Sequence, residues 1–337
     1  MQNVLKQYGF PATSNMKLLG NGLINTTWLL ETGGSKFVVQ QVNQLVFKSP
    51  ADIAFNIRLI ADHLEKYHPG YQFAAPVKTL DGSDMVKTAS GYFRVFPFIS
   101  GSHSIDVAES PEQAFEAAIQ FARFTKFLSG LPAEKLKITL PGFHDLSLRF
   151  NQFESSLKTG NTTRISQSGV WILFLLEQRT IMDQFERSKM NYKTRCTHHD
   201  TKISNVLFNS SGKGLCVIDL DTVMPGYFIS DVGDMMRTYL SPVNEEESET
   251  DKIIIRKDFY EAIVQGYLSE MGPELTETEK EQFHFSGLFM VYMQALRFLT
   301  DHINNDVYYG SRYEGQNLVR AINQATLLKR LIEFNPH

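Results

Sequence analysis

The sequence predicts an α+β protein of two lobes, a small β-rich amino-terminal lobe over residues 1–100 and a larger, mainly helical lobe over residues 101–337. Three observations carry this reading. At 337 residues the chain exceeds the size at which one hydrophobic core usually keeps growing. The first hundred residues alternate short β-rich runs with turns, and after Gly101 long segments of helical periodicity take over.

In chain order, "WLLET" (28–32), Gly33-Gly34 and "KFVVQQV" (36–42) read as a hairpin, because a Gly-Gly pair supplies the positive φ that a tight connection needs. Ser49 and Pro50 then suit the N-cap and first position of a helix. Its Ile53, Ile57, Ile60 and Leu64 recur at helical spacing, so one face is expected to pack on the sheet. Two further strands are expected around "APVKT" (75–79) and "YFRVFPFI" (92–99), with "LDGS" as the turn between them. The segment Ser110–Gly130 opens on a Ser-Pro cap and closes at a glycine. Residues 169–189 and three segments after residue 256 also read as helical, and no internal repeat is present.

Composition limits the function classes. With 42% hydrophobic and 21% charged residues and a net charge of −4, the chain is an ordinary globular one without the basic excess of a nucleic-acid surface. The acidic run "NEEESETD" (244–251) reads as a solvated loop. Two cysteines, Cys196 and Cys216, fit a reducing compartment and buried thiols. Pro11 interrupts the amino terminus where a signal peptide would be apolar, and "VWILFLL" (170–176) is too short to span a bilayer, so the expected location is the cytoplasm.

The chemistry concentrates in "HHDTKISNVLF" (198–208). His198, Asp200 and Asn205 have the spacing of the catalytic loop of kinase-type phosphotransferases. Asp219 follows in "GLCVIDLDTV", and a hairpin of "SNVLFN" and "GLCVID" joined by "SSGKG" would bring it to Asn205. Mg²⁺ prefers hard oxygen donors and commonly takes only one or two carboxylates, which Asn205 and Asp219 would supply. Asp200 can then accept the proton of an acceptor hydroxyl, and Lys202 can reach the transferred phosphoryl group as a point charge. His198 fits a brace of the loop better than a proton shuttle, and His199 reads as loop filling. Asp221 ranks below Asp219 as a metal ligand. Asp231 suits a structural brace, whereas Asp234 is a candidate for contact with the substrate.

The run "THHDTKISNVLF…CVIDLDTVMPG…SDVGD" resembles the aminoglycoside phosphotransferase and choline kinase superfamily, and within it the N-acetylhexosamine 1-kinases. The resemblance covers most of the chain, including "LLGNGLINTTW" as a phosphate loop, "RVFPFISG" as a hinge and "ALRFLTDHINNDVYY" as a sugar-binding segment. It implies a protein-kinase-like bilobal fold that uses ATP and Mg²⁺ to phosphorylate the anomeric hydroxyl of N-acetylglucosamine or N-acetylgalactosamine. Asp200 would be the base, Asn205 and Asp219 the metal ligands, and Arg297 and Tyr308 the sugar contacts, with Asn304, Asn305, Asp306 and Tyr309 nearby. Gly20, Asn21 and Gly22 would approach the phosphates, and Pro97, Phe98 and Ile99 the adenine. Two positions depart from the pattern. Gln40 stands where kinases carry the strand lysine, and the helix that would supply its glutamate partner has only Glu65 near its end. Leu23 replaces a histidine of the phosphate loop. A neutral contact from Gln40 to a phosphate oxygen, braced by Asn56, is the expectation for the first. The expected partners are a sugar and ATP, with no nucleic acid or membrane, and the expected state is a monomer. A kinase of another small alcohol (another sugar, choline or an aminoglycoside) and a nucleotide-binding pseudokinase scaffold are the alternatives.

Overall fold

The computed structural model describes residues 1–11, 13–19 and 24–335. Its amino-terminal part opens with helix α1 (Gln2–Gln7) and strands β1 (Asn15–Leu18), β2 (Thr26–Thr32) and β3 (Ser35–Val42). Helix α2 (Pro50–Tyr67) precedes strands β4 (Val86–Thr88) and β5 (Gly91–Pro97). The five strands form one antiparallel sheet in the order β1-β2-β3-β5-β4. Gly33 and Gly34 both take positive φ in the β2–β3 turn, as a tight hairpin requires. Leu30, Val39, Phe93 and Val95 on one face of this sheet pack with Val4 and Leu5 of α1 and with Tyr8 just after it into a small core of their own.

Two expectations fail here. Residues 75–79 form no strand, and Val77 N–H alone reaches the sheet, at the Val95 carbonyl (2.8 Å). The hairpin partner of β5 on its outer side is β4, joined to it through a turn at Gly91, so the "LDGS" turn precedes the hairpin instead of making it. The apolar face of α2 shares a cluster with Val42 and Phe47 and with the large helical core, so it is not simply a lid on the sheet. Asn56 explains this: its amide donates to the Lys137 and Val223 carbonyls and its oxygen accepts from Lys137 N–H, fastening α2 to the carboxy-terminal part.

The rest is mainly helical. Strand β6 (Ser102–His103) leads to α3 (Pro111–Phe127), α4 (Leu146–Thr159), α5 (Thr162–Gln167), α6 (Gly169–Glu177) and α7 (Thr180–Ser188). The helix expected over 169–189 is therefore broken, at Gln178 and Arg179. Strands β7 (Arg195–Thr197), β8 (Val206–Asn209), β9 (Gly214–Val217) and β10 (Met224–Gly226) carry the motif residues in their connections. Helices α8 (Phe228–Tyr239), α9 (Lys257–Met271), α10 (Glu277–Lys280), α11 (Phe283–Ile303) and α12 (Gln316–Glu333) complete the chain. Helix α11 is the centre of the core, packed by α4, α8 and α12. Where it meets α8, a Cβ on Gly233 would lie 2.3 Å from the Ser286 carbonyl oxygen, so the close approach needs glycine. The acidic run 244–251 is docked rather than merely solvated, since Glu245 pairs with Arg237 and Arg320, and Asn323 donates to the Asn244 and Glu247 carbonyls. No helix among the described residues is long and apolar enough to cross a membrane.

Candidate active site

The loop 198–205 leaves β7 and enters β8 through a 3-10 turn at Ile203–Asn205. Helix α8 holds it from beneath. Asp231 accepts the His198 and His199 N–H groups (3.2 and 2.8 Å), and Asp234 accepts the Thr201 N–H (2.8 Å) and Arg237 Nε (2.8 Å). Burial pushes the Asp231 carboxyl up to about 7 and also raises Asp234, since both carboxylates lie in the interior. Asp234 thus holds the loop and orients Arg237, and both of its oxygens are already engaged.

Within the loop, His198 is fully buried, with Nε2 3.0 Å from the Ile218 carbonyl and Nδ1 3.3 Å from Asp200 N–H. Asn205 Nδ2 donates to the Asp200 carbonyl oxygen (2.8 Å) and to Asp200 Oδ2 (3.1 Å). Lys202 Nζ lies 3.2 Å from the same Oδ2, and the nearby Asp200 holds the ammonium above its ordinary range. The β8–β9 hairpin forms, and Ile218 N–H bonds the Asn205 carbonyl (2.9 Å), which sets Asp219 beside the loop. Asp219 takes left-handed backbone angles (φ 59°, ψ 61°), costly for a non-glycine residue and met mainly at functional turns. Asp219 is exposed yet closely surrounded by protein, and this burial of the carboxyl, with Asp221 and Asp200 near, pushes it up to about 7. A site with this surplus of negative charge has a use for a cation. Asn205 spends its amide nitrogen on Asp200, which leaves its oxygen to act with the Asp219 carboxylate as a hard donor pair. Among the described residues no group of three or more His, Cys, Asp or Glu side chains is arranged around a metal.

Asp221 is turned away from this pair. It is 1% exposed, its Oδ1 lies 2.5 Å from Arg94 Nη1, and its Oδ2 accepts from Asn25 Nδ2 (2.7 Å). Arg94 also donates to Gln40 Oε1 from Nε (3.1 Å) and Nη2 (2.9 Å), while Gln40 Nε2 donates to Thr27 Oγ1 (3.3 Å). Asn56 therefore does not brace Gln40, and both ends of the Gln40 amide are occupied by protein. Gly20, Asn21, Gly22 and Leu23 lie outside the described residues, between the paired strands β1 and β2. Pro97 ends β5, Phe98 N–H bonds the Lys36 carbonyl (3.1 Å), and the Ile99 carbonyl accepts from Ser102 Oγ (2.6 Å).

On the acceptor side, Arg297 of α11 lies over the rings of Phe143, Tyr308 and Tyr309 (5.2–5.8 Å to the centroids). It donates to Gln294 Oε1 (3.1 Å) and Tyr308 Oη (3.4 Å), and among the described residues no carboxylate pairs with it. Asn305 and Asp306 serve the loop itself: Asn305 accepts from Asn161 and Asp306 from Arg164 and Asn317, while Asp301 caps the Tyr308 and Tyr309 N–H groups.

Three participants were missed in the sequence. Arg94 had a signal, a cation within the apolar strand "YFRVFPF". His144 and His199 had none. His199 takes φ 67°, and its Nδ1 meets His144 Nδ1 at 3.2 Å. Its ring lies against Gly226, where a Cβ would come within 2.5 Å of Nε2, and among the described residues that buried nitrogen has no hydrogen-bond partner. One of the two Nδ1 atoms donates to the other, with the tautomers deciding which. Burial and the neighbouring His199 and Arg297 hold His144 well below its usual range, so it stays uncharged.

Residues 15–274 match the family described as "Phosphotransferase enzyme family". The chain is similar to the solved aminoglycoside phosphotransferase of Alicyclobacillus acidocaldarius, at 14% identity over 99% of this chain and 95% of that one, with a TM-score of 0.59. A microcompartment-associated aminopropanol kinase is similar at 16% identity over 98% and 96% of the two chains (TM-score 0.65). The choline kinase of Cryptosporidium parvum matches at 12% identity over 95% and 90% (TM-score 0.58).

Proposed function

The chain belongs to the phosphotransferase enzyme family, and on that premise we propose that it is an ATP- and Mg²⁺-dependent kinase that phosphorylates the anomeric hydroxyl of an N-acetylhexosamine. The kinase-like fold and the action of this family on small alcohols are the frame. The sugar is the further step, and Arg297 carries it. A guanidinium without a carboxylate partner, ringed by Phe143, Tyr308 and Tyr309, repels a cationic acceptor such as choline or an aminoglycoside. It suits a neutral ring with many hydroxyl groups, which can hydrogen-bond the cation and stack on the exposed Tyr308. Similarity to a choline kinase and an aminopropanol kinase leaves another small alcohol as the second reading. The lobe division near residue 100 belongs to the same proposal, since the sheet ends at Pro97.

In this reading the acceptor hydroxyl attacks the γ-phosphorus, the bond from that phosphorus to the bridging oxygen breaks, and ADP leaves. Asp200 takes the hydroxyl proton as the new P–O bond forms. Lys202, held against Asp200 Oδ2, offsets charge on the phosphoryl oxygens. Mg²⁺, held by Asn205 and Asp219, would neutralise the polyphosphate and help align it. Asp231, Asp234 and His198 keep the base in place through the loop backbone.

The deciding experiment is ADP release with ATP and Mg²⁺ across an acceptor panel that includes both N-acetylhexosamines, their 1-O-methyl glycosides, choline and an amino alcohol. Turnover of a free sugar but not its 1-O-methyl form, lost in Asp200→Asn, supports an anomeric kinase. Turnover of choline or an amino alcohol alone would overturn it. No turnover with any acceptor would favour a nucleotide-binding scaffold.

A further inference from the structure

Kinases of this fold join a strand lysine to a helix glutamate, and here both are missing: the strand position is Gln40 and α2 has no glutamate in its central turns. The sheet offers a replacement. Register places Arg94 on β5 directly opposite Gln40 on β3, and the Gln40 oxygen accepts from two nitrogens of the guanidinium. The remaining nitrogen, Nη1, faces Asp221 Oδ1 at 2.5 Å, a close charge pair rather than an aligned hydrogen bond. The second carboxylate oxygen is held by Asn25, whose own oxygen accepts from Asn43 N–H (3.0 Å). Arg94 and Asp221 are each 1% exposed, so neither charge has water to fall back on and each needs the other.

The location of the pair gives it a role. Arg94, Gln40, Asn25 and Thr27 all belong to the sheet or its margins, whereas Asp221 lies two residues beyond Asp219 on the same 3-10 turn. We propose that, where the lysine–glutamate pair is absent, the Arg94–Asp221 pair ties the nucleotide-binding sheet to the segment that carries Asp219. Arg94 is thus a positioning residue. At 1% exposure it does not reach the phosphates, and Gln40 acts by aiming it, not by binding nucleotide. This rests on the nucleotide reading given above.

The test is calorimetry of ADP binding with and without Mg²⁺, on the wild type and on the double variant Arg94→Gln/Asp221→Asn. The double variant removes both charges, so neither is left buried alone and the fold is kept. In the wild type Mg²⁺ should strengthen ADP binding by about tenfold, within the range usual for linked ligands. In the double variant binding without Mg²⁺ should persist while the Mg²⁺ gain disappears, a split that general loosening would not produce. A double variant that keeps the full Mg²⁺ gain overturns the proposal. Hydrogen exchange without nucleotide separates this from the nucleotide reading. Amides 218–223 should exchange faster in the double variant and those of 283–303 should not, and unchanged exchange at 218–223 overturns the tether even if the wild type binds no ADP.

Discussion

Asn205 donates its amide to both the carbonyl oxygen and the carboxylate of Asp200, at 2.8 and 3.1 Å, so the proposed base and the proposed metal ligand form one hydrogen-bonded unit. With Lys202 also on Oδ2, the other carboxylate oxygen is the one available to an acceptor. Asp200→Asn should therefore lower kcat by roughly 10²–10⁴-fold while leaving ADP affinity near the wild-type value. Steady-state kinetics beside calorimetry checks this, and loss of nucleotide binding would move Asp200 out of the base role.

Arg297→Met should raise the KM for the acceptor sugar by about tenfold or more, because a hydrogen bond from a charged group contributes roughly 1.5–3 kcal/mol. The KM for ATP should not change, since the partners of Arg297 among the described residues are Gln294, Tyr308 and the surrounding rings. An equal rise in both constants would point to a disturbed fold instead.

His199 gives stability a defined dependence on pH. Burial pushes its ring down to about 3, against an unfolded value near 6.5, so the unfolded chain binds the extra proton first. The stability is present in full above pH 6.5 and is lost as pH falls towards 3, by roughly 3 kcal/mol at pH 4 from this residue. Denaturant titrations between pH 4 and 7 should show a shallower slope for His199→Gln than for the wild type. Equal slopes would show that the ring is not held neutral.

Gly233→Ala should destabilise the protein by about 1–3 kcal/mol, because the new methyl group meets main-chain carbonyl Ser286 O and Met290 on α11. Thermal unfolding should show a drop of several degrees, and refolding kinetics are not needed to see it. An unchanged midpoint would mean that α8 and α11 can separate without loss.

Much of this architecture was readable because local rules and tertiary packing agreed. The Gly33-Gly34 hairpin, the Ser110 cap, whose hydroxyl accepts from Gln113 N–H, and the β8–β9 hairpin follow from turn and cap chemistry alone. Residues 75–79 failed as a strand because β propensity cannot say which run will find an edge to pair with, and β4 took it. Helix 169–189 broke where no proline or glycine marks the place, at Gln178 and Arg179. The acidic loop misled for a related reason, since charge runs look solvated until Arg237 and Arg320 arrive from distant segments. In the site, motif spacing located Asp200, Asn205 and Asp219 within one loop and hairpin. The partners of Gln40 and His199 were hidden, because Arg94 and His144 lie 54 and 55 residues away in sequence and meet them only across the folded chain.

Cys196 and Cys216 are the chain's two cysteines, both buried, and burial pushes each thiol up to about 12. At neutral pH almost no thiolate is present and little surface is offered, so alkylating dyes will pass the folded protein by. That makes the molecule a dark background for site-directed labelling. Cysteines introduced at exposed Lys87 and Lys257 would be the ones to take a fluorophore pair. The distance between the sheet and the helical part could then be followed by energy transfer as nucleotide and sugar are added, with both native thiols left in place.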